Sequence, residues 1–142
     1  ASMWTRVGVK TSVDALAPPV FFKSRDSYAF SAYLAGWSVT SGEMSNALTS
    51  LLVTRNPEAG LGTTNRSRYS NPKMDELVKQ ASSTMDDTKR AELLSKASNL
   101  AMDDYAMLPV HFELSVWAMK NDIRYQGRPD QVTLAQFATL KK

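Results

Sequence analysis

Leu34-Ala35-Gly36-Trp37-Ser38-Val39-Thr40-Ser41-Gly42-Glu43 is the stretch on which the fold reading turns. An apolar, aromatic run over residues 29–35 stops at a Gly-Trp pair and opens into a polar, glycine-containing loop. Downstream, residues 45–53 carry Leu48, Leu51 and Leu52 on one side and read as a helix. The predicted order is strand, loop, helix. In α/β sheets solutes gather in crevices beyond the carboxyl ends of strands, and this loop sets a flat indole beside hydroxyls and one carboxylate. Two readings of Trp37 stand side by side. It is either the wall of a ligand site or an indole buried between sheet and helix, with the serines and threonine acting as turn and cap residues.

The whole-chain numbers narrow the class. A chain of 142 residues suits one ordinary domain, expected to run over 1–142. With 43% hydrophobic and 22% charged residues it has the composition of a globular protein that buries a core. The net charge of +3 comes from 17 basic and 14 acidic residues mixed along the chain, whereas nucleic-acid binding prefers a concentrated basic face. No nucleic-acid partner is therefore expected. No apolar run approaches bilayer-spanning length, and the first ten residues do not resemble a signal peptide, so the chain reads as a mature or truncated species. The absence of cysteine excludes a disulfide framework, a thiol nucleophile and a thiolate metal site.

Outward from the Gly-Trp loop, the fold class expected is α/β, of mixed α+β character, with a mixed sheet flanked by helices. Residues 7–13 alternate apolar and polar as a half-buried strand does, and Ala17-Pro18-Pro19 then breaks the pattern. Residues 19–27 suit a short helix with proline in its first turn. Residues 54–70 form a loop too long for a simple connection, which points to a functional or wrapping role. Asn71 is a good N-cap with Pro72 at the first helical position, and Met74, Leu77, Val78 and Ala81 fall at helical spacing. A second helix starts near Asp86-Asp87, carries Leu93, Leu94, Ala97, Leu100 and Ala101 on one face, and stops at Asp103-Asp104, whose charges oppose the dipole of a helix C-terminus. Residues 107–114 and 116–119 read as two strands, and residues 120–142 as an irregular tail.

The catalytic inventory is thin, and no enzyme activity is expected. Gly36-Trp37-Ser38-Val39-Thr40 sits where a nucleophile elbow would, but a threonine replaces the last glycine of G-x-S-x-G. His111 lies within a predicted strand and would have to reach Ser38. Gly60-Leu61-Gly62 follows a helix and lacks the third glycine of a dinucleotide loop. No carboxylate and histidine set has metal-ligand spacing, and no cofactor is implied. Asn65-Arg66-Ser67 matches a glycosylation sequon, a short pattern common by chance.

Taken together, several of these segments have a family look. The succession Val7-Gly8-Val9-Lys10, Gly36-Trp37, Gly60-Leu61-Gly62, Asn65-Arg66, Arg68-Tyr69-Ser70-Asn71-Pro72, Asp75-Glu76-Leu77, Asp86-Asp87 with Arg90, Asp103-Asp104, Leu108-Pro109-Val110-His111 and Val116-Trp117-Ala118 resembles the extracytoplasmic solute-binding proteins of peptide, oligopeptide and nickel ABC transporters, solute-binding protein family 5. The resemblance is to their C-terminal part. It implies a periplasmic-binding-protein-like fold of two lobes that closes on a solute and presents it to a membrane permease, with this chain as part of the C-terminal lobe. It also implies a periplasmic location in a Gram-negative bacterium. A strand and helix would precede residues 7–13, and Trp4 looks like the end of that helix. The sheet edge left open makes homodimerisation a further expectation.

Under the resemblance, Trp37 stacks on or walls the solute, Ser38, Thr40 and Ser41 hydrogen-bond it, and Asn65 and Arg66 of the long loop are secondary contacts. Peptide-binding relatives often place an aspartate three residues after the tryptophan to pair with a peptide amino terminus; Thr40 stands there in this chain. A neutral hydroxyl cannot supply that charge-assisted contact. Glu43 either folds back to replace it or caps the following helix. The solute is accordingly expected to be a peptide, a modified peptide, an opine-like conjugate or another small polar molecule. The competing reading is a free-standing α/β interaction domain with no small-molecule ligand, using the long loop to bind another protein.

Overall fold

The computed structural model describes residues 1–39 and 41–141, which form two compact units, Ala1–Leu34 and Ala35–Lys142. In the first, helix α1 spans Ser2–Arg6 and helix α2 spans Pro18–Asp26. Pro18 and Pro19 open α2, where the missing N–H is one that no intrahelical carbonyl would meet anyway. Phe21 of α2 stacks on Phe30 with ring centroids 5.7 Å apart and meets Tyr33 edge-on, so this small unit is held by aromatic contact.

The second unit contains the core. Residues 45–53, read from sequence as one helix, begin as α3 (Ser45–Ala47) and pass into a π-helical segment, Leu48–Leu52. Helix α4 spans Pro72–Ser83 and helix α5 spans Asp87–Asp103. The signals legible in the sequence act as expected. The Asn71 side chain accepts from the backbone N–H of Lys73 at 3.0 Å, and Asp86 accepts from that of Lys89 at 3.0 Å. Met74, Val78 and Ala81 of α4 pack with Leu94, Ala97 and Ala101 of α5, and Leu48, Leu52 and Val53 close the cluster. Three of those nine side chains are alanines, which lets helix axes approach closely while Met74, fully buried, fills the space between them.

The long loop wraps this core. Asn56 and Leu61 form an isolated antiparallel bridge, and the loop then returns to the π-helical segment. The N–H of Gly62 donates to the Thr49 carbonyl at 2.9 Å and that of Thr64 to the Ser50 carbonyl at 3.0 Å. These are carbonyls near a helix end that lack a partner of their own. Gly62 has φ +57°, and a Cβ there would lie 2.5 Å from the Val53 carbonyl oxygen, so the return requires glycine.

The sheet departs from expectation. Instead of a mixed sheet flanked by helices, the described residues form one two-stranded antiparallel sheet, β1 (Ile123–Tyr125) with β2 (Ala138–Leu140), preceded by a 3-10 turn at Ala135–Phe137. The segments 7–13, 29–35, 107–114 and 116–119 carry no regular strand. Alternating apolar residues make a strand only when a neighbouring strand satisfies their N–H and C=O groups in a ladder, and no strand ladder includes them among the described residues. The pairing instead falls in residues 120–142, read from sequence as irregular. There Trp117 lies at 5.9 Å from Tyr125, donates to the Thr133 hydroxyl at 2.9 Å, and covers Gly127 so tightly that a Cβ would lie 2.5 Å from its ring.

Candidate functional site

The loop after Trp37 is built from short polar contacts. Gly42, at φ +70°, turns the chain, and the Ser41 hydroxyl accepts from the Glu43 N–H at 3.4 Å. Glu43 then uses both carboxylate oxygens. One forms an ion pair with Arg90 Nε of α5 at 2.8 Å and the other accepts from the Ser45 hydroxyl at 2.6 Å. Arg90 also reaches Asp87 at 3.2 Å, in the first turn of its own helix. The start of α3 has no side-chain cap, and the Glu43 carboxylate instead links the Ser45 hydroxyl to Arg90 of α5.

Trp37 itself is 43% exposed. Ser38 and Ser41 are exposed as well, and Thr40 lies outside the described residues. The indole is thus not a core residue, and its loop offers an apolar face with hydroxyls beside it on a tethered segment.

Asn65 and Arg66 are held differently. Asn65 is 1% exposed, and its amide N–H groups donate to the carbonyls of Val53 at 3.0 Å and Tyr69 at 2.8 Å. Its amide oxygen accepts from the Ser67 hydroxyl at 3.1 Å. A buried amide with every group paired acts as a clasp on the loop. Arg66 donates from Nη1 to the Thr63 carbonyl at 2.7 Å.

Two residues that the sequence reading did not place at the site stand out. Arg90 was visible only as part of the Asp86-Asp87 helix start, and an arginine three residues past an acidic cap gives no sign of a reach to position 43. Glu113 was read as one of the alternating residues of a strand. An ideal Cβ placed on Gly36 would lie 3.6 Å from its Oε2, which brings this carboxylate against the Gly-Trp pair.

A second polar cluster joins the helix ends. The Tyr69 hydroxyl donates to Asp104 Oδ2 at 2.7 Å, and the Asn71 amide donates to the same oxygen at 2.6 Å. Burial and the Asp104 carboxylate push the Tyr69 phenol from 10.0 up to about 12, while the two donated hydrogen bonds hold Asp104 below its ordinary value. Asn71 thus caps α4 with its oxygen and, with its nitrogen, hydrogen-bonds the ionised carboxylate at the C-terminal end of α5. In the β hairpin, the Arg128 guanidinium lies 5.1 Å over Phe137 and is bound to Asp130, so its charge is met within the hairpin. Among the described residues no three metal-ligating side chains converge, and no hydrogen bond links Ser38 to His111.

No family profile matches the chain. It is similar to the oligopeptide-binding protein OppA of Bacillus subtilis, 26% identical over 86% of this chain and 22% of that protein. It is similar also to the periplasmic oligopeptide-binding protein OppA of Salmonella typhimurium, 26% identical over 84% of this chain and 21% of that protein. Heme-binding protein A of Haemophilus influenzae is 27% identical over 75% of this chain and 19% of its own length. The chain therefore spans about a fifth of the length of the curated relatives it matches, and these relatives are by name binding proteins.

Proposed function

We propose that this chain is part of the solute-binding component of an ABC importer, in its C-terminal lobe, and that it contributes to the capture of a peptide or peptide-like solute for delivery to a membrane permease. The observation that carries the reading is the similarity, over most of this chain, to two proteins named for oligopeptide binding. A half-exposed Trp37 on a loop anchored to α5 supports it, since aromatic surface without a protein partner is a usual solute contact. Trp37 supplies the apolar wall, and Ser38, Thr40 and Ser41 the hydroxyls. Glu43 and Asn65 hold the loops in place, and Arg66 flanks them. The proposed compartment is extracytoplasmic. One relative is periplasmic by name, from Salmonella typhimurium, and another comes from Bacillus subtilis, so the reading names no cell-envelope type.

In such a receptor a solute stabilises the closed state because only that state gives it the full set of contacts. The test is thermal unfolding of the polypeptide encoded by the complete open reading frame, screened against short peptides, amino acid conjugates and sugars. An upward shift of the midpoint with one solute class, lost in Trp37→Ala, is the expected result. No shift with any solute, together with a stable monomer, returns the account to a free-standing interaction domain.

A further inference from the structure

We propose that residues 108–116 are a self-pairing segment: two copies of the chain join there as antiparallel strands, in the register that sets Phe112 opposite the partner's Phe112. Among the described residues no hydrogen bond between main-chain groups involves residues 107–119, and Leu108, Val110, Phe112, Leu114 and Val116 are all exposed. In an extended chain these alternate residues share one face, with Pro109, His111, Glu113 and Ser115 on the other. A second extended backbone supplies the ladder that the run lacks within its own chain, and sets the apolar side chains of both copies beside one another.

The order of residues about Phe112 selects a second copy as that partner. With Phe112 at the two-fold axis, Val110 faces the partner's Leu114, Leu108 faces the partner's Val116, and His111 faces the partner's Glu113. Apolar residues meet apolar ones, and an imidazole N–H meets a carboxylate twice in the symmetric pair. His111 and Glu113 are exposed and have no hydrogen bond or ion pair among the described residues, so both are available. Pro109 fixes the phase of the ladder. It has no N–H to give and must lie in a non-hydrogen-bonded pair, which leaves positions 108, 110, 112, 114 and 116 to exchange the backbone bonds. His111 and Glu113 then fall in the pairs whose side chains come closest. Moving the axis to residue 111 or 113 would set imidazole on imidazole or carboxylate on carboxylate.

The test uses single cysteines, which the chain otherwise lacks. Val110→Cys mixed with Leu114→Cys is expected to form a disulfide-linked dimer on mild oxidation, because opposed residues in a hydrogen-bonded pair lie about 5.5 Å apart at Cα. Either variant oxidised alone places its two cysteines about 13 Å apart along the paired strands and is expected to cross-link at least about tenfold more slowly. Sedimentation equilibrium of the cysteine-free chain is expected to show monomer and dimer in exchange. His111→Glu sets like charges opposite one another and is expected to raise the dissociation constant about tenfold, and adding Glu113→Lys to restore it to within about threefold. Self-cross-linking of Val110→Cys as fast as its cross-linking to Leu114→Cys overturns the proposal. So does a dissociation constant indifferent to His111→Glu or not restored by Glu113→Lys. A chain that stays monomeric through the micromolar range overturns it as well, and assigns the run to another occupant.

Discussion

Arg90 on α5 and Glu43 in the loop after Trp37 form a 2.8 Å ion pair that ties position 43 to the helical core. Both side chains are more than a third exposed, so solvent screens the pair and its share of global stability is small, about 0.5 kcal/mol. Arg90→Ala is expected to cost about that much in urea unfolding. A double-mutant cycle with Glu43→Gln should show coupling. The larger effect is expected in solute affinity, because the pair restrains the loop that holds Trp37, and calorimetry on Arg90→Ala checks it.

Asn65 predicts a larger loss. Asn65→Ala strands two carbonyls, those of Val53 and Tyr69, beside a side chain that is almost fully buried, so a cost of roughly 2 to 3 kcal/mol is expected. Gly62→Ala should be of similar size, roughly 2 kcal/mol or more, because it combines left-handed backbone with a clash against Val53. Denaturant unfolding of both variants is the check.

The Tyr69 and Asp104 pair predicts a pH dependence at both extremes. The folded-state value of Tyr69 lies above its ordinary 10.0, so its contribution is fully present below pH 10.0 and is lost as pH rises toward about 12. Asp104 is shifted the other way. Its contribution is present above the ordinary carboxylate value of 3.8 and is lost as pH falls through the lowered one. Tyr69→Phe should flatten the alkaline limb of a stability-versus-pH curve and reduce the acid limb, as read by urea unfolding across the range.

Segment 107–116 predicts self-association. Leu108, Val110, Phe112, Leu114 and Val116 are all exposed, Phe112 to 97%, in a run with few charges. Such an exposed apolar run favours association. The isolated 142-residue chain is expected to form dimers or larger species in light scattering, and Phe112→Lys to shift it toward monomer. A wild-type chain that stays monomeric contradicts this.

How much was legible in the sequence depends on where the stabilising partners lie. The caps at Asn71-Pro72 and Asp86, and the stop at Asp103-Asp104, are written locally, so the start of α4 and both ends of α5 are readable from the sequence. Strands are not written locally. The alternation in residues 7–13 and 107–114 signals apolar faces but not the backbone that must pair with them. The hairpin of β1 and β2 was missed for the opposite reason. Three-residue strands show no periodicity, and what orders them is Trp117 against Gly127, a contact between distant positions. At the candidate site, Trp37 was legible from the Gly-Trp break. Arg90 and Glu113 were not, because both reach it from other elements.

The most direct test of the central claim, that a solute binds at Trp37, is the fluorescence of the polypeptide from the complete open reading frame with Trp4→Phe and Trp117→Phe, and with any further tryptophans likewise replaced, so that Trp37 is the sole emitter. Titration with the peptide class that raises the unfolding midpoint is predicted to shift Trp37 emission saturably to shorter wavelength as the indole leaves water. A midpoint that rises while Trp37 emission stays constant, or no response of either kind to any solute, would contradict the account.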